Sequence, residues 1–308
     1  MDRREFLKKS VQTGLLAGVS LSIPGVYGKY LAKSSKLMVS PYDLVAIKGG
    51  EPDAMFDEAI KQFGGMNSFV KKNQKVCLKP NIGWDVSPER AGNTNPKLVK
   101  RVIEHCFNAG AKQVSVFDHT CDDWKRCYAN SGIEKAVKDG GGQLVPGNSE
   151  NYFHDVTIKT AKNMKNAKIH EVLMDSDVFI NMPILKNHNS TRLTISMKNL
   201  MGIVWDRRFE HSNDLHQCIA DGASFRKPDL NIVDAYYILK QNGPRGVSAD
   251  DVSLMKSQII STDIVAADSA AAKLFGINPD EIQYINIADA MGLGKKDLNS
   301  LKIKRMIL

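Results

Sequence analysis

The sequence lacks the short motifs that mark several large enzyme classes. It has no G-x-G-x-x-G and no Walker phosphate loop, and its three consecutive glycines at 140–142 are not followed by Lys-Ser or Lys-Thr. A G-x-S-x-G nucleophile motif is also missing. No motif therefore supports nicotinamide-dependent, nucleoside-triphosphate-dependent or serine-hydrolase chemistry.

Cysteine patterns typical of metal sites are missing as well. The chain has five cysteines but no C-x-x-C, and the spacing of Cys121 and Cys127 matches no common zinc or iron–sulfur site. We therefore expect no iron–sulfur cluster in this chain. An odd number of cysteines leaves at least one thiol unpaired within the chain, and a disulfide between Cys121 and Cys127 stays open for an oxidising compartment.

Long apolar runs and basic clusters are scarce too. The hydrophobic stretch 11–27 is interrupted by Gly14, Gly18 and Pro24, and it is shorter than the ~20 apolar residues that a membrane span needs. The formal net charge is +8, yet Lys and Arg are scattered and no basic run alternates with aromatic residues. This distribution argues against a nucleic-acid partner and favours a solvated surface or a mild attraction to small anions.

The N-terminal residues MDRREFLKK resemble a twin-arginine export signal, in which Arg3 and Arg4 precede a short apolar segment. We predict a signal peptide at 1–28 and a linker at 29–40, with cleavage after Ala32 as an alternative. The resemblance implies that the twin-arginine translocase is a partner and that the mature protein is periplasmic or otherwise exported, without a stable membrane span. A cytoplasmic amphipathic segment is the competing interpretation.

Short apolar runs alternate with amphipathic segments over most of the remaining chain. Strands are predicted at 44–47, 75–78, 113–117, 153–158, 178–182, 230–233 and 258–261, and helices at 55–63, 96–109, 133–138, 167–174 and 266–275. This alternation predicts an α/β fold, a mostly parallel sheet with helices on both faces, in one domain at 41–308. A small inserted lobe at 121–162 stays open, and the polar segment 206–221 is either a loop or a lid.

The stretch 177–202, DVFINMPILKNHNSTRLTISMKNLMG, holds a dense set of polar side chains. Its apolar run 178–182 predicts a buried strand that Pro183 ends. A polar loop with a Lys, an Asn and a His follows at 186–188. The apolar residues at 193, 197, 200 and 201 then recur at helical spacing and predict one helix that ends at Gly202.

Polar residues follow five of the predicted strands. They are Lys79 with Asn81, Asp118 with His119, Lys186 with His188, Asp234, and Asp263. Because the carboxyl ends of parallel strands meet at the same edge of a sheet, we expect these side chains to lie close together. Such a cluster could hold an anion, orient a metal or move a proton. The two aspartates at 234 and 263 are equally well explained as turn or helix-capping residues.

The order P-x-L-K-x-H, short polar loop and M-K-N-L-M-G resembles the signature of the bacterial family named domain of unknown function 362. The resemblance extends over 44–276 and includes VCLKPNIG at 76–83, VFDHT at 116–120 and STDIVAADSAAAKLFG at 261–276. Some members of that family carry ferredoxin-like cysteine motifs, which this sequence lacks.

The sequence Asp118-His119-Thr120 after a strand, with a later Lys and His, is also similar to the amino-terminal domain of nickel-pincer lactate racemases. In those enzymes a lysine tethers the cofactor, and histidines ligate nickel or exchange the substrate proton. The resemblance implies that Lys186 is a tether candidate and that His119 and His188 are metal-ligand or proton-transfer candidates.

These patterns assign roles to a small set of residues. We predict catalytic roles for Asp118, His119, Lys186 and His188, cofactor binding by Lys79, Asn81, Lys186, Lys198 and Asn199, and metal binding by His119 and His188. Lys198 lies off the apolar face of its predicted helix and is equally well explained as a surface charge. Two functions stay open: an exported enzyme that moves a proton or hydride on a small anionic, hydroxy-acid-like substrate, and a non-catalytic binding or cofactor-maturation protein. The cofactor is unknown.

Overall fold

A mixed ten-stranded sheet forms the centre of the computed structural model, which describes residues 40–308. The predicted signal peptide and residues 29–39 of the predicted linker lie outside the described residues. The strands are Leu44–Lys48 (β1), Lys75–Pro80 (β2), Gln113–Val116 (β3), Gln143–Leu144 (β4), Phe153–Thr157 (β5), Asn166–His170 (β6), Val178–Met182 (β7), Ile184–His188 (β8), Arg192–Thr194 (β9), Leu230–Leu239 (β10), Val252–Ser261 (β11) and Ile303–Ile307 (β12). Their order in the sheet is β12-β1-β11-β10-β7-β2-β3-β4, and β8 pairs with both β10 and β9.

Helices cover this sheet on both faces. They are Pro52–Lys61 (α1), Pro96–Asn108 (α2), Trp124–Asn130 (α3), Ile133–Asp139 (α4), Glu171–Met174 (α5), Ser196–Asn199 (α6), Arg207–Ser212 (α7), Leu215–Phe225 (α8), Ile264–Phe275 (α9) and Gln283–Ala290 (α10). Successive residues of a strand point to opposite faces. Val76 and Leu78 accordingly belong to one hydrophobic core and Cys77 to the other. The predicted α/β fold is confirmed.

From β12 to β4 the sheet is mostly parallel, and along that path β11 is the strand that opposes both of its neighbours. It runs antiparallel to β1 and β10, whereas β10 with β7, β7 with β2, β2 with β3, and β1 with β12 are parallel pairs. The carboxyl end of β11 therefore lies at the opposite edge from the ends of β2 and β3. The prediction that Asp263 joins the other strand-end residues is wrong. Its carboxylate instead caps α9 by accepting the N–H groups of Val265 and Ala266.

Two predicted helices differ from the structure because long-range contacts decide the local conformation. Residues 166–170 form β6, which pairs antiparallel with β5 in a separate two-stranded sheet. Residues 193–201 do not form one helix, since Leu193 lies in β9. Helix α6 begins where the Asp268 carboxylate accepts the N–H groups of Ser196 and Met197, at 2.7 and 3.0 Å. A helix that is capped from a distant residue carries no cap signal in its own sequence.

The segment 121–162, for which a small lobe was left open, contains α3, α4, β4 and β5. Strand β4 extends the main sheet beside β3, and α4 packs against α2. Residues 40–308 belong to one compact unit. Among them, no helix is both long enough and apolar enough to cross a membrane.

Candidate functional site

Three buried lysines lie near the carboxyl ends of the central strands. Lys79 is on β2, Lys186 is on β8 and Lys198 is on α6, with exposed fractions of 0%, 1% and 8%. Pro183 does not send the chain into a loop as predicted. The chain resumes as β8, which pairs in parallel with β10 and antiparallel with β9. Lys186 and His188 are therefore held on a strand.

Lys79 forms a buried ion pair with Asp118. Its Nζ lies 2.8 Å from Oδ1 of Asp118 and donates to the carbonyl oxygen of Pro80 at 2.8 Å. The other carboxylate oxygen of Asp118 accepts the N–H of Ile82 at 2.7 Å. Burial lowers the pKa of Lys79, and the adjacent carboxylate opposes that shift. The two charges compensate each other inside the protein.

Gly202 is required beside this ion pair because the backbone passes too close for a side chain. A Cβ at this position would clash with Oδ1 of Asp118 and would lie 2.8 Å from Nζ of Lys79. The carbonyl oxygen of Gly202 also accepts the N–H of His119 at 3.2 Å. The predicted helix end at Gly202 therefore marks a contact with β3 and its carboxyl-terminal loop.

Lys186 has no carboxylate partner among the described residues. Its Nζ donates to Oδ1 of Asn81 at 3.1 Å and to the carbonyl oxygen of Gly92 at 2.6 Å, and it forms no ion pair in residues 40–308. Burial lowers the pKa of Lys186 to about 7. Neutral and charged forms of this amine therefore coexist near neutral pH.

Lys198 contacts a thioether in place of an oxygen. Its Nζ lies 2.8 Å from Sδ of Met201, and it forms no ion pair within the described part of the chain. Glu210 on α7 is the carboxyl that acts on it electrostatically, and burial raises the pKa of Glu210 and lowers that of Lys198. The sequence analysis left open whether Lys198 binds a cofactor or is a surface charge. Lys198 is buried in the structure and is therefore not a surface charge.

Lys186 and Lys198 line a cavity of about 590 Å³. Arg207 and Arg208 add two more cations to its wall, and Asp118 is the acidic residue of the lining. Because Asp118 is already paired with Lys79, the cavity carries an excess of positive charge. Volumes of roughly 300–1,000 Å³ are typical of sites for small molecules.

The two histidines proposed as ligands face this cavity in different ways. His119 Nδ1 lies 3.0 Å from the carbonyl oxygen of Val204, and its ring stacks on Trp205 with ring centroids 4.8 Å apart. His188 Nδ1 accepts the N–H of Ser190 at 3.1 Å. Burial, with the charges of Lys198 and Lys186, lowers the pKa of His188 to about 3. His188 is therefore a neutral imidazole at neutral pH.

Metal binding by His119 and His188 stays a prediction. Residues 40–308 contain no group of three or more His, Cys, Asp or Glu side chains arranged to hold a metal ion. All five cysteines are free thiols; Cys121 is exposed and Cys127 is buried. The buried amines, in contrast, fit a negatively charged group.

Helix α7 supplies the part of the site that sequence analysis missed. Asp206 caps it by accepting the N–H of Phe209 at 3.1 Å. Arg207 then donates to the carbonyl oxygens of His119 and Thr120, at 3.0 and 2.5 Å, and so ties α7 to the end of β3. Asp206 and Asp214 are helix-capping residues, and each accepts the N–H of the residue three positions later. These two capping signals could have indicated two short helices here.

The structure brings most of the predicted residues to one place. Those that line the cavity are Asn81, Asp118, His119, Lys186, His188, Lys198 and Asn199. Lys79 lies behind them, against Asp118. Asp234 lies apart from the cavity wall, and its carboxylate accepts the N–H groups of Asn95 and Tyr236, at 2.7 and 3.0 Å. The roles of the cavity residues stay predictions.

Comparison with known families supports the resemblance seen in the sequence. Residues 76–273, more than half of the chain, match the family described as Domain of unknown function (DUF362). The chain belongs to the DUF362 family. All of the residues that line the cavity, from Asn81 to Pro244, lie in this matched region.

Two known proteins are similar to this DUF362 chain. A thylakoid-associated protein, sll1697, from Synechocystis sp. is 26% identical over 242 residues, which cover 76% of this chain and 73% of that protein. The lactate racemase apoprotein from Thermoanaerobacterium thermosaccharolyticum is similar in structure with a TM-score of 0.47 and 11% identity. That match covers 74% of this chain but 56% of the racemase, so the chain spans little more than half of the racemase's length.

Proposed function

We propose that this DUF362 protein binds a small organic anion, such as a hydroxy acid, in the cavity between β8, α6 and α7. The observation that carries the proposal is the pair of buried amines, Lys186 and Lys198, which line the cavity without an ion pair in residues 40–308. A buried charge without a partner costs several kcal/mol. A bound carboxylate would supply the missing counter-charge to both amines.

The neighbouring side chains favour a carboxylate ligand. Arg207 and Arg208 add positive charge to the same wall, and carboxylates bind well to amine and guanidinium donors. His188 is neutral near neutral pH, and its lowered pKa makes it a weak proton acceptor. Because its Nδ1 accepts the N–H of Ser190, its Nε2 carries the ring proton and can donate a hydrogen bond to a bound carboxylate. Turnover of a bound hydroxy acid would support the catalytic version of this function. Binding without turnover would favour the alternative, a non-catalytic binding or maturation protein.

Calorimetry with the purified chain tests the binding proposal. The ligands are lactate, malonate and inorganic phosphate, each titrated into the wild type and into Lys186→Met and Lys302→Met. Lys302 is exposed and lies outside the cavity wall, so its replacement removes one positive charge without changing the site. We expect at least about tenfold weaker binding in Lys186→Met, equivalent to ~1.4 kcal/mol, and unchanged binding in Lys302→Met. Equal losses in both variants, or no binding by the wild type, would contradict the proposal.

Export by the twin-arginine translocase stays part of the proposal, on the basis of Arg3 and Arg4. Replacing both with lysine should leave the full-length protein in the cytoplasm, as fractionation and immunoblotting would show. A processed periplasmic double variant would disprove this route.

A further inference from the structure

The three buried lysines differ in what their amines contact. Nζ of Lys79 bonds to Asp118 and Pro80, and Nζ of Lys186 bonds to Asn81 and Gly92. Lys79 also donates to Oδ1 of Asn199 at 3.3 Å, so each of these two amines is held by at least two oxygen atoms. Among residues 40–308, Nζ of Lys198 has as its one hydrogen-bond partner the thioether sulfur of Met201 at 2.8 Å, and a thioether is a weak acceptor. Of the three, Lys198 is the amine that is most available to a ligand in the cavity.

Glu210 is the second unusual group in this region. It is 1% exposed, and its Oε2 has no hydrogen-bond partner among the described residues. It lies on α7, next to the arginines of the cavity wall. Burial penalises the charged forms of both groups, so it raises the pKa of Glu210 and lowers that of Lys198. The neutral amine of Lys198 is therefore easier to form than that of an exposed lysine.

A buried amine that can lose its proton beside a cavity for carboxylates has a specific chemical use. Neutral lysine adds to carbonyl groups, whereas the ammonium ion does not. The remaining cations of the wall, Lys186 and Arg207 with Arg208, would hold a carboxylate next to that carbonyl. A ligand that carries both groups on adjacent carbons matches this arrangement.

We propose that Lys198 condenses with the carbonyl group of a small 2-oxo acid to form an imine. This inference rests on the proposed function, because the carboxylate of the oxo acid occupies the same anion-binding cavity. The nitrogen lone pair of Lys198 forms the new bond to the carbonyl carbon, and the bond from that carbon to oxygen breaks. Two of the three protons of the original ammonium leave with the oxygen as water, and one stays on the iminium nitrogen. No oxidant or reductant takes part.

Glu210 is a positioning residue in this scheme, since it lies outside the cavity lining. Its carboxylate favours the ammonium form of Lys198, as does the Cys121 thiol, while Arg207 opposes that form. Lys186 and His188 share the cavity wall with Lys198. Replacing Glu210 with Gln removes the largest electrostatic contribution that favours the ammonium form. The pH profile of imine formation should therefore move to lower pH in Glu210→Gln.

Reductive trapping tests the inference directly. The full chain is incubated with pyruvate or glyoxylate and sodium cyanoborohydride, which reduces an imine to a stable secondary amine. Intact-protein mass spectrometry should show a gain equal to the mass of the oxo acid less one oxygen atom, and peptide mapping should place it on Lys198. We expect at least about tenfold less adduct in Lys198→Arg, which keeps the charge, and no change in Lys302→Arg. Excess lactate has a hydroxyl group in place of the keto carbonyl, so it should compete with the oxo acid for the cavity and reduce the amount of adduct.

The outcomes separate this inference from the binding proposal. If neither pyruvate nor lactate binds, both are overturned. If both ligands bind equally well in calorimetry and no adduct forms, the cavity binds anions and the imine inference alone is overturned. An adduct on Lys186 or on exposed lysines in place of Lys198 also overturns it. A Glu210→Gln variant that traps with an unshifted pH profile removes Glu210 from the scheme.

Discussion

Lys79 and Lys186 are both fully buried lysines near the same edge of the sheet, yet their surroundings differ in charge. Lys79 lies 2.8 Å from the carboxylate of Asp118. Lys186 is held by an amide oxygen and a carbonyl oxygen and lines an open cavity. The first lysine is neutralised by the fold, and the second is left for a ligand to neutralise. Burial alone therefore does not separate a structural lysine from a binding lysine; the counter-charge does.

The largest expected effect follows from breaking the neutralised pair. Lys79→Met would leave Asp118 as a buried carboxylate without its cation, which costs about 3–5 kcal/mol of unfolding free energy. Lys186→Met removes a cation that has no ionic partner and should cost far less. Urea unfolding measures both. Adding Asp118→Asn to Lys79→Met should recover part of the loss, and equal costs for the two lysine variants would remove the distinction.

A smaller effect is expected where the backbone packs against that pair. Gly202→Ala places a methyl group against Asp118 and Lys79, and overpacking of this kind costs about 1–3 kcal/mol. The matched control is Gly222→Ala within α8, where the new Cβ would meet only Cε of Met164 at 3.3 Å. Since Ala favours helices over Gly by up to about 1 kcal/mol, the control should be neutral or stabilising. If Gly202→Ala and Gly222→Ala have the same melting temperature, Gly202 has no special packing role.

Per pH unit, the titration of Lys186 gives the smallest expected effect, and it sharpens the same comparison. Its pKa is lowered from the ordinary 10.5 to about 7 in the fold, so between these values the unfolded chain binds more protons. The unfolding free energy of the unliganded protein should therefore rise with pH across that window. Anion affinity should fall over the same window, by at most about tenfold per pH unit, because the bound anion needs the ammonium form.

Lys186→Met provides the control for both slopes. The rise in stability and the fall in affinity should be weaker in this variant than in the wild type. Asp118 and Cys121 favour the charged form of Lys186, whereas Lys198 and Lys79 oppose it. A wild type and a Lys186→Met variant with identical pH profiles, measured by denaturation and by calorimetry, would show that Lys186 does not titrate near neutral pH.

Much of the fold was predictable because patterns among neighbouring residues indicate its strands and helices. Alternating apolar runs and amphipathic segments indicated the α/β class, and Asn95 followed by Pro96 marked the start of α2, where the Asn95 side chain accepts the N–H of Lys97. Polar residues after the predicted strands at 75–78 and 113–117 marked one wall of the cavity. These signals depend on neighbouring residues, and so a sequence can carry them.

The direction of each strand and the ion-pair partner of each buried side chain, in contrast, depend on residues far apart in the chain. Only the tertiary structure decided them. The antiparallel course of β11 sent Asp263 to the other edge of the sheet. The return of the chain after Pro183 as β8 placed Lys186 on a strand. The packing of α6 and α7 buried Lys198 and Glu210, and Asp118 became the partner of Lys79 and not of Lys186. The sequence by itself determined which charged side chains approach this edge, but burial and pairing, which fix their charges, are properties of the assembled fold.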